Sequence, residues 1–410
     1  MGLTSNTLLV LLVFLLLASM AGAVLLSPRV RGPGPVRIAQ RLGMVLTAQV
    51  AALLVIGLVI NDSMGFFVSW TDLLGGHSGA AITGGGFDAA NARGAAQAVE
   101  NAFGTVAESG TNGVLLNSRV VGKVSKVSAR MLLWLPPQYS QPAWASYRFP
   151  VVELYPGYPG NPESWVKGLH IEQVMAQAIL SGLARPFVAV IPTTTVTPPR
   201  DTNCENVVRG PKVDTFLSTD VPRAVMSGFR VRRDRAGWAG MGLSEGGYCA
   251  TILAMRHPDR YSAAVSLSGA FWFPPKGRHD IFGGSARLRS LASPVWRAKH
   301  LRPPAVSLLL TATRSERTEY AELRALAAAA RPPLRVATMV LPKGGHNPWV
   351  WGAELPAAIQ WLAAHFDGVT FVAKPPKHLP RQAFLPFCAT HHCMPATSKA
   401  SPRPAPTASR

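Results

Sequence analysis

The stretch Gly240-Met241-Gly242-Leu243-Ser244-Glu245-Gly246-Gly247 decides the reading of this chain, because Gly242 to Gly246 spell G-x-S-x-G. Residues 236–241 before it are apolar and short enough for a strand, and residues 248–255 after it can continue as a helix to His257 and Pro258. The context is therefore strand, tight turn, helix. A serine on such a turn is held in a strained conformation with its hydroxyl exposed, and small residues two before and two after it prevent collisions where the backbone doubles back. It also stands at a helix N-terminus, where free N–H groups and the helix dipole favour a developing oxyanion. Ser244 is the candidate nucleophile. The competing reading is a glycine-rich turn with a capping serine.

Working outward, short apolar runs at 114–121, 127–135, 151–155, 187–191, 238–241, 263–267, 306–310 and 336–341 read as strands. Helical stretches at 165–183, 221–229, 245–257, 320–330 and 355–366 are interleaved with them. Strands alternating with helices predict a mainly parallel sheet covered on both faces, an α/β fold.

A serine nucleophile needs a base, and the base needs a third group to hold it. In this architecture the partners follow in the order nucleophile, acid, histidine, on loops after later strands. The last strand runs into Pro342-Lys343-Gly344-Gly345-His346, so His346 is the candidate general base; His77, His170, His257, His378, His391 and His392 fit less well. Glu316, just past the strand at 306–310, is the candidate acid, with Glu319 and Glu322 as alternatives. The oxyanion hole needs two amides. The Glu245 amide, directly after the nucleophile, is one, and the turn Pro156-Gly157-Tyr158-Pro159-Gly160 supplies the other through Tyr158, because its prolines have no N–H. Trp165, Trp272, Trp349 and Trp351 are either groove or core residues.

At both ends the composition changes. The chain has 410 residues, a formal charge of +20 and 48% hydrophobic residues, which fits membrane segments and attraction to anionic lipid headgroups or envelope polymers. No Lys/Arg block or motif of nucleic-acid type accompanies the charge, which argues against nucleic acid as a partner. Residues 7–26 and 42–60 are near the ~20 residues needed to cross a bilayer. Arg29, Arg31, Arg37 and Arg41 lie between them with no acid, so the positive-inside rule puts this loop in the cytoplasm and everything after residue 60 outside. A cleaved signal peptide over 1–23 is the rival reading, but no Lys or Arg precedes Arg29. The domains read as a membrane anchor over 1–61, a Gly/Ala-rich linker over 62–112 with one helix at 89–103, a catalytic domain over 113–368 and a basic, Pro-rich tail over 369–410.

The runs Tyr155-Pro-Gly-Tyr-Pro-Gly, Arg200-Asp201-Thr202-Asn203-Cys204, Thr215-Phe216-Leu217, Gly242-Leu-Ser-Glu-Gly-Gly-Tyr, Arg256-His-Pro-Asp-Arg-Tyr and Leu267-Ser-Gly together resemble the putative esterase family. That family groups esterase D-like enzymes with the mycobacterial mycolyltransferases. The resemblance implies an α/β-hydrolase fold and acyl-enzyme chemistry on Ser244, His346 and Glu316, with Tyr158 and Glu245 as amide donors and no cofactor or metal. The paired apolar helices resemble a membrane-anchored actinobacterial branch. Two departures stand out: Pro156-Gly157 replaces the His-Gly of many members, and Glu245 replaces a Met. Cys204 and Cys249 both approach the C-terminal edge of the sheet and are expected to pair. Cys388 and Cys393 in the tail are expected to form a local disulfide rather than a metal site.

The function expected is that of a membrane-anchored, extracytoplasmic serine esterase or acyltransferase acting on lipid or sugar esters. Transfer of mycolic acid to and from trehalose, or a catalytically dead envelope-binding module, are the alternatives. The oligomeric state is not readable.

Overall fold

The computed structural model describes residues 6–64, 105–110, 112–158, 161–198, 200–271 and 280–367. The helix expected at 89–103, Trp272, the Cys388 and Cys393 pair and the tail lie outside them. By internal contacts the chain divides into Met1–His77 with Lys343–Asn347, and Ser78–Pro342 with Pro348–Arg410.

In the first unit, α1 (Asn6–Leu26) and α2 (Gly34–Met64) pack against each other. Thr7–Leu26 and Gly34–Val59 are each long and apolar enough to cross a membrane. The second helix starts at Gly34 rather than near residue 42, so Arg37 and Arg41 lie in its first turns and the connection shortens to a few residues around Arg29 and Arg31. Nothing in 34–41 breaks a helix once Pro35 sits in the first turn, where its missing N–H has no acceptor to lose.

The second unit is a nine-stranded sheet in the order β1-β2-β3-β5-β4-β6-β7-β8-β9. Its strands are β1 (Thr105–Gly110), β2 (Gly113–Val121), β3 (Ser128–Leu135), β4 (Val151–Tyr155), β5 (Val188–Pro192), β6 (Trp238–Leu243), β7 (Ala263–Leu267), β8 (Ser307–Thr313) and β9 (Arg335–Leu341). The first three pair antiparallel, β3 meets β5 antiparallel, and β5-β4-β6-β7-β8-β9 is parallel throughout. Strand β1 corrects the linker reading: the sheet begins at Thr105, inside the stretch assigned to 62–112. It follows from a tight hairpin at Gly113 (φ 108°), where a Cβ would fall 2.3 Å from the Leu135 carbonyl.

Alternation along the strands splits the core into two layers. Leu116, Leu133, Val151, Ala264 and Leu308 face one side, covered by α5 (Val221–Gly228), α6 (Glu245–Arg256), α8 (Pro294–His300) and α9 (Arg317–Ala329), while Ala292 of α7 (Ala286–Ala292) packs in a small separate cluster with Val207, Ile281 and Phe282. Leu115, Leu132, Val152, Ala239, Val265 and Leu309 face the other, covered by α3 (Glu163–Leu169), α4 (Ile171–Leu180) and α10 (Pro348–Phe366). The single helix expected at 165–183 is broken at His170, which takes a left-handed φ of 47°. The break lets Trp165 and Leu169 from one piece and Ile171 and Met175 from the other enter the same core layer. The last helix starts at Pro348, a favoured first-turn residue, rather than at 355.

A buried carboxyl is placed in the middle of this sheet. Glu153 on β4 is fully buried; Tyr155 Oη donates to its Oε2 at 2.8 Å, and Tyr261 Oη donates to its Oε1 at 3.2 Å. Burial pushes its carboxyl from 4.5 up to about 8, against the downward pull of the two tyrosines. A raised folded pKa means that the folded chain keeps a proton that the unfolded chain has released. Its contribution is full below about 4.5 and is lost as pH rises toward about 8. Glu153→Gln should flatten that decline, which reaches up to about 1.4 kcal/mol per pH unit for one proton. Urea unfolding of both proteins across this range measures it.

Candidate active site

Parallel register brings the C-terminal ends of the central strands level: Tyr155 opposite Gly242, Leu243 opposite Leu267, Leu267 opposite Thr311, and Thr313 opposite Leu341. The loops leaving this edge carry the residues singled out in the sequence.

Ser244 joins β6 to α6 with φ 55° and ψ −124°, a conformation that non-glycine residues adopt only under constraint. The constraint is visible around it. Its N–H donates to the Leu267 carbonyl at 2.9 Å, and its carbonyl accepts from Gly247 N–H (2.9 Å) and Ala270 N–H (3.2 Å). The flanking glycines have no room to be anything else: a Cβ on Gly242 would fall 1.9 Å from the Gly246 carbonyl oxygen, and one on Gly246 would fall 2.0 Å from the Tyr155 carbonyl oxygen. Gly157 is pressed against the same turn, its absent Cβ 3.1 Å from Ser244 Cβ. The Pro156–Tyr158 backbone therefore runs beside the serine, and Tyr158 turns its side chain outward, 49% exposed. As the first residue of α6, Glu245 has an N–H with no acceptor within the helix.

Glu316 immediately precedes α9 and is buried. Its Oε2 accepts from Ser268 Oγ (3.0 Å) and from Thr313 N–H (2.7 Å). Ser268 follows Leu267, the residue that receives the Ser244 N–H, so the serine turn and the carboxylate are tied to consecutive residues at the end of β7. The alternatives sit elsewhere. Glu319 is half-buried in the first turn of α9, and Glu322 accepts from Phe271 N–H at 2.8 Å. Burial pushes the Glu322 carboxyl up to about 7. His346 lies in Lys343–Asn347 of the first unit, in the connection from β9 to α10, and is half-buried.

Beside Glu316 is a polar layer whose members are far apart in the sequence. Thr311 Oγ1 donates to Glu354 Oε2 at 2.6 Å, and the carboxyl of Glu354, fully buried on α10, is pushed well above its usual range by burial and, against the pull of that hydrogen bond, by the nearby Glu316. Only the spacing of Thr311 and Thr313 on one face of β8 hinted at it. Trp165 and Trp351 prove to be core residues rather than groove walls.

Cys204 and Cys249 form a disulfide with Cα atoms 5.6 Å apart. It is one of several pins between α6 and the segment after β5. Glu205 accepts from Tyr248 Oη (2.5 Å) and from Arg256 (2.7 Å), and Asp214 accepts from Arg256 (2.8 Å) and meets His257 at 2.7 Å. Burial opposes ionisation of Asp214, but His257 and Arg256 outweigh it and hold the carboxyl below its usual range.

A strained serine between a strand and a helix at the C-terminal edge of a parallel sheet is the arrangement of the α/β-hydrolase fold. The chain belongs to the putative esterase family, whose profile matches residues 125–365, more than half of its length. Among curated relatives, it is 32% identical over 143 residues to an uncharacterised protein of Corynebacterium glutamicum, covering 33% of this chain and 31% of that one. It is 46% identical over 67 residues to the MPT51 antigen of Mycobacterium leprae, covering 16% and 21%. The chain thus spans less than a third of the length of either relative. The fold is that of a ferulic acid esterase (TM-score 0.52, 22% identity, 62% of this chain and 98% of that one). An S-formylglutathione hydrolase from Agrobacterium tumefaciens shares it too (TM-score 0.53, 12% identity, 63% and 98%).

The close approach at Gly246 is directly testable. Gly246→Ala drives a methyl into backbone carbonyls and should cost about 3 kcal/mol, the upper end for overpacked sites. Thermal unfolding checks it, and an unchanged midpoint would contradict the packing described.

Proposed function

We propose that this esterase works through a Ser244-His346-Glu316 triad, with the N–H groups of Glu245 and Tyr158 as its oxyanion hole, and acts on lipid or sugar esters from the outer side of a membrane. The observation that carries this reading is the Ser244 turn, strained, pressed on by Gly157 and followed by the unshared Glu245 N–H at a helix start. The anchored Glu316 supports the choice of acid, since its Oε2 is already held by Ser268 and Thr313 and the carboxylate is fixed in orientation. His346 is assigned from its place after the last strand, the position of the base in this architecture.

In this scheme the imidazole of His346 takes the Ser244 proton as Oγ attacks the ester carbonyl. The two amides hold the oxyanion that forms, and Glu316 keeps the imidazole in the correct tautomer and stabilises its protonated form. Protonated His346 then delivers the proton to the leaving alcohol, producing an acyl-serine. Water activated by the same histidine releases the acid, or a sugar or lipid hydroxyl takes the acyl group.

The membrane part of the proposal rests on the two apolar helices and the arginines joining them, which favour a two-pass anchor with that connection in the cytoplasm. The Cys204–Cys249 disulfide is in keeping with an oxidising, extracytoplasmic setting.

Labelling of the detergent-solubilised full chain by a fluorophosphonate tests the assignment. Labelling should be lost in Ser244→Ala and nearly lost in His346→Ala. Glu316→Gln should lower kcat toward a short-chain ester by about 10⁴-fold, the loss known for a triad acid replaced by its amide. Full labelling of Ser244→Ala would place the nucleophile elsewhere and overturn the proposal, whereas no labelling of the wild type would leave an envelope-binding module. Adding trehalose or a lipid alcohol as competing acceptor separates hydrolysis from transfer.

A further inference from the structure

Between β8 and α10 lies an acid outside the reaction scheme. Glu354 is fully buried; its Oε2 accepts from Thr311 Oγ1 at 2.6 Å, and its Oε1 has no hydrogen-bond partner. A buried carboxyl with one oxygen bare lowers stability, and an apolar side chain of similar size would cost less. Packing alone would favour leucine there, so what Glu354 touches gives the acid its use.

Thr311 and Thr313 are buried on the same face of β8. Thr311 Oγ1 donates to Glu354 and accepts from Ser268 N–H at 3.4 Å, and the same N–H donates to the Thr311 carbonyl at 3.1 Å. Ser268 is fully buried and has a left-handed φ of 47°, which a non-glycine residue keeps only where its surroundings impose it. Its Oγ donates to Glu316 Oε2 at 3.0 Å, and Thr313 N–H donates to the same oxygen at 2.7 Å. Hydrogen bonds therefore run without a gap from Glu354 on α10, through Thr311 on β8 and Ser268 after β7, to Glu316 before α9. Burial, and after it the nearby Glu316, favour protonated Glu354 against the pull of Thr311. A neutral acid accepts the Thr311 hydrogen bond without setting a second negative charge beside the first.

We propose that Glu354 is a positioning residue for the acid of the triad: by fixing the Thr311 hydroxyl it sets the strained Ser268 and, through the Ser268 hydroxyl, the orientation of the Glu316 carboxylate. This role rests on Glu316 as the acid that orients His346. Glu354 itself meets no reacting atom. With the Thr311 hydrogen committed to Glu354, the Oγ1 lone pairs face the Ser268 N–H, and the Ser268 peptide is held at the strand end by two acceptors. Without Glu354 the Thr311 hydroxyl turns, the Ser268 N–H keeps only the carbonyl, and the Ser268 hydroxyl loses its fixed direction toward Glu316. The carboxylate then samples orientations that do not suit an imidazole. Leu267, the residue before Ser268, accepts from Ser244 N–H at 2.9 Å, so the run also reaches the turn that carries the nucleophile.

The test is kcat and KM for a chromogenic short-chain ester, with thermal unfolding of the same full-length, detergent-solubilised proteins. Glu354→Leu should lower kcat by about ten-fold, the weight of one hydrogen bond in a barrier, with KM little changed. Glu354→Gln keeps a neutral acceptor for Thr311 and should recover most of that loss. Thr311→Val combined with Glu354→Leu replaces both partners by apolar groups, so the double variant should unfold no earlier than wild type and still show the lowered kcat. Loss of rate without loss of stability separates positioning from general weakening of the core. In a Glu316→Gln background Glu354→Leu should lower kcat no further, because the group it orients is already lost. Wild-type kcat in Glu354→Leu, an equal loss in Glu354→Gln, or the full further loss in the Glu316→Gln background each overturns the inference. Undiminished kcat in Glu316→Gln alone overturns the triad assignment, and the inference with it, and is distinct from each of those results.

Discussion

The structure depends on a backbone crossing. At Ser244 the chain leaves β6, reverses and enters α6 so tightly that Gly242 lies under the Gly246 carbonyl, while Gly246 lies under that of Tyr155. Steric exclusion at three glycines, counting Gly157, sets how near the β4 loop comes to the serine and therefore where two amides can converge. The strain at Ser244 survives because hydrogen bonds from both sides determine it: its N–H is bound to β7, and its carbonyl accepts from Gly247 and Ala270. Strain of this kind costs of order 1–3 kcal/mol and persists only where its surroundings over-determine it.

Helix α6 is the element most heavily secured. The segment after β5 reaches it through Cys204 at Cys249, Glu205 at Tyr248 and Arg256, and Asp214 at Arg256 and His257. These contacts run from the first turn to the end of the helix. A long connection that would otherwise move freely is held against the helix that starts at the nucleophile. Removing the arginine would leave Glu205 with Tyr248 and Asp214 with His257 as their remaining partners and no guanidinium to offset two buried carboxylates, a larger loss than any surface pair.

Buried carboxyls recur in this domain, and each is treated differently. Glu316 is fixed by a hydroxyl and an amide, and Glu354 behind it is kept neutral by burial and by Glu316 itself. Glu153 is shared between two tyrosines in the sheet interior. A fixed acceptor suits the orientation of an imidazole, whereas a neutral acid can act as a donor where a charge would be too costly. Bringing unlike carboxyl environments close together is how one fold separates an ionised role from a protonated one.

The sequence by itself determined what is local or periodic. The strand, turn and helix around Ser244, the alternation that builds a two-faced parallel sheet and the two apolar helices all lie in contiguous residues, and each is a property of neighbours along the chain. That Glu316 follows the strand before the last could be read as well, because the order of strands in an α/β chain is also written in sequence. Only the tertiary structure decided that β1 extends the sheet into the stretch read as linker, and that the helix over 165–183 breaks at His170 to fill one core layer twice. It alone brought Ser268 to Glu316, Thr311 to Glu354 and Glu205 to Arg256, because partners tens of residues apart meet through sheet register and loop packing, which no short window of sequence contains.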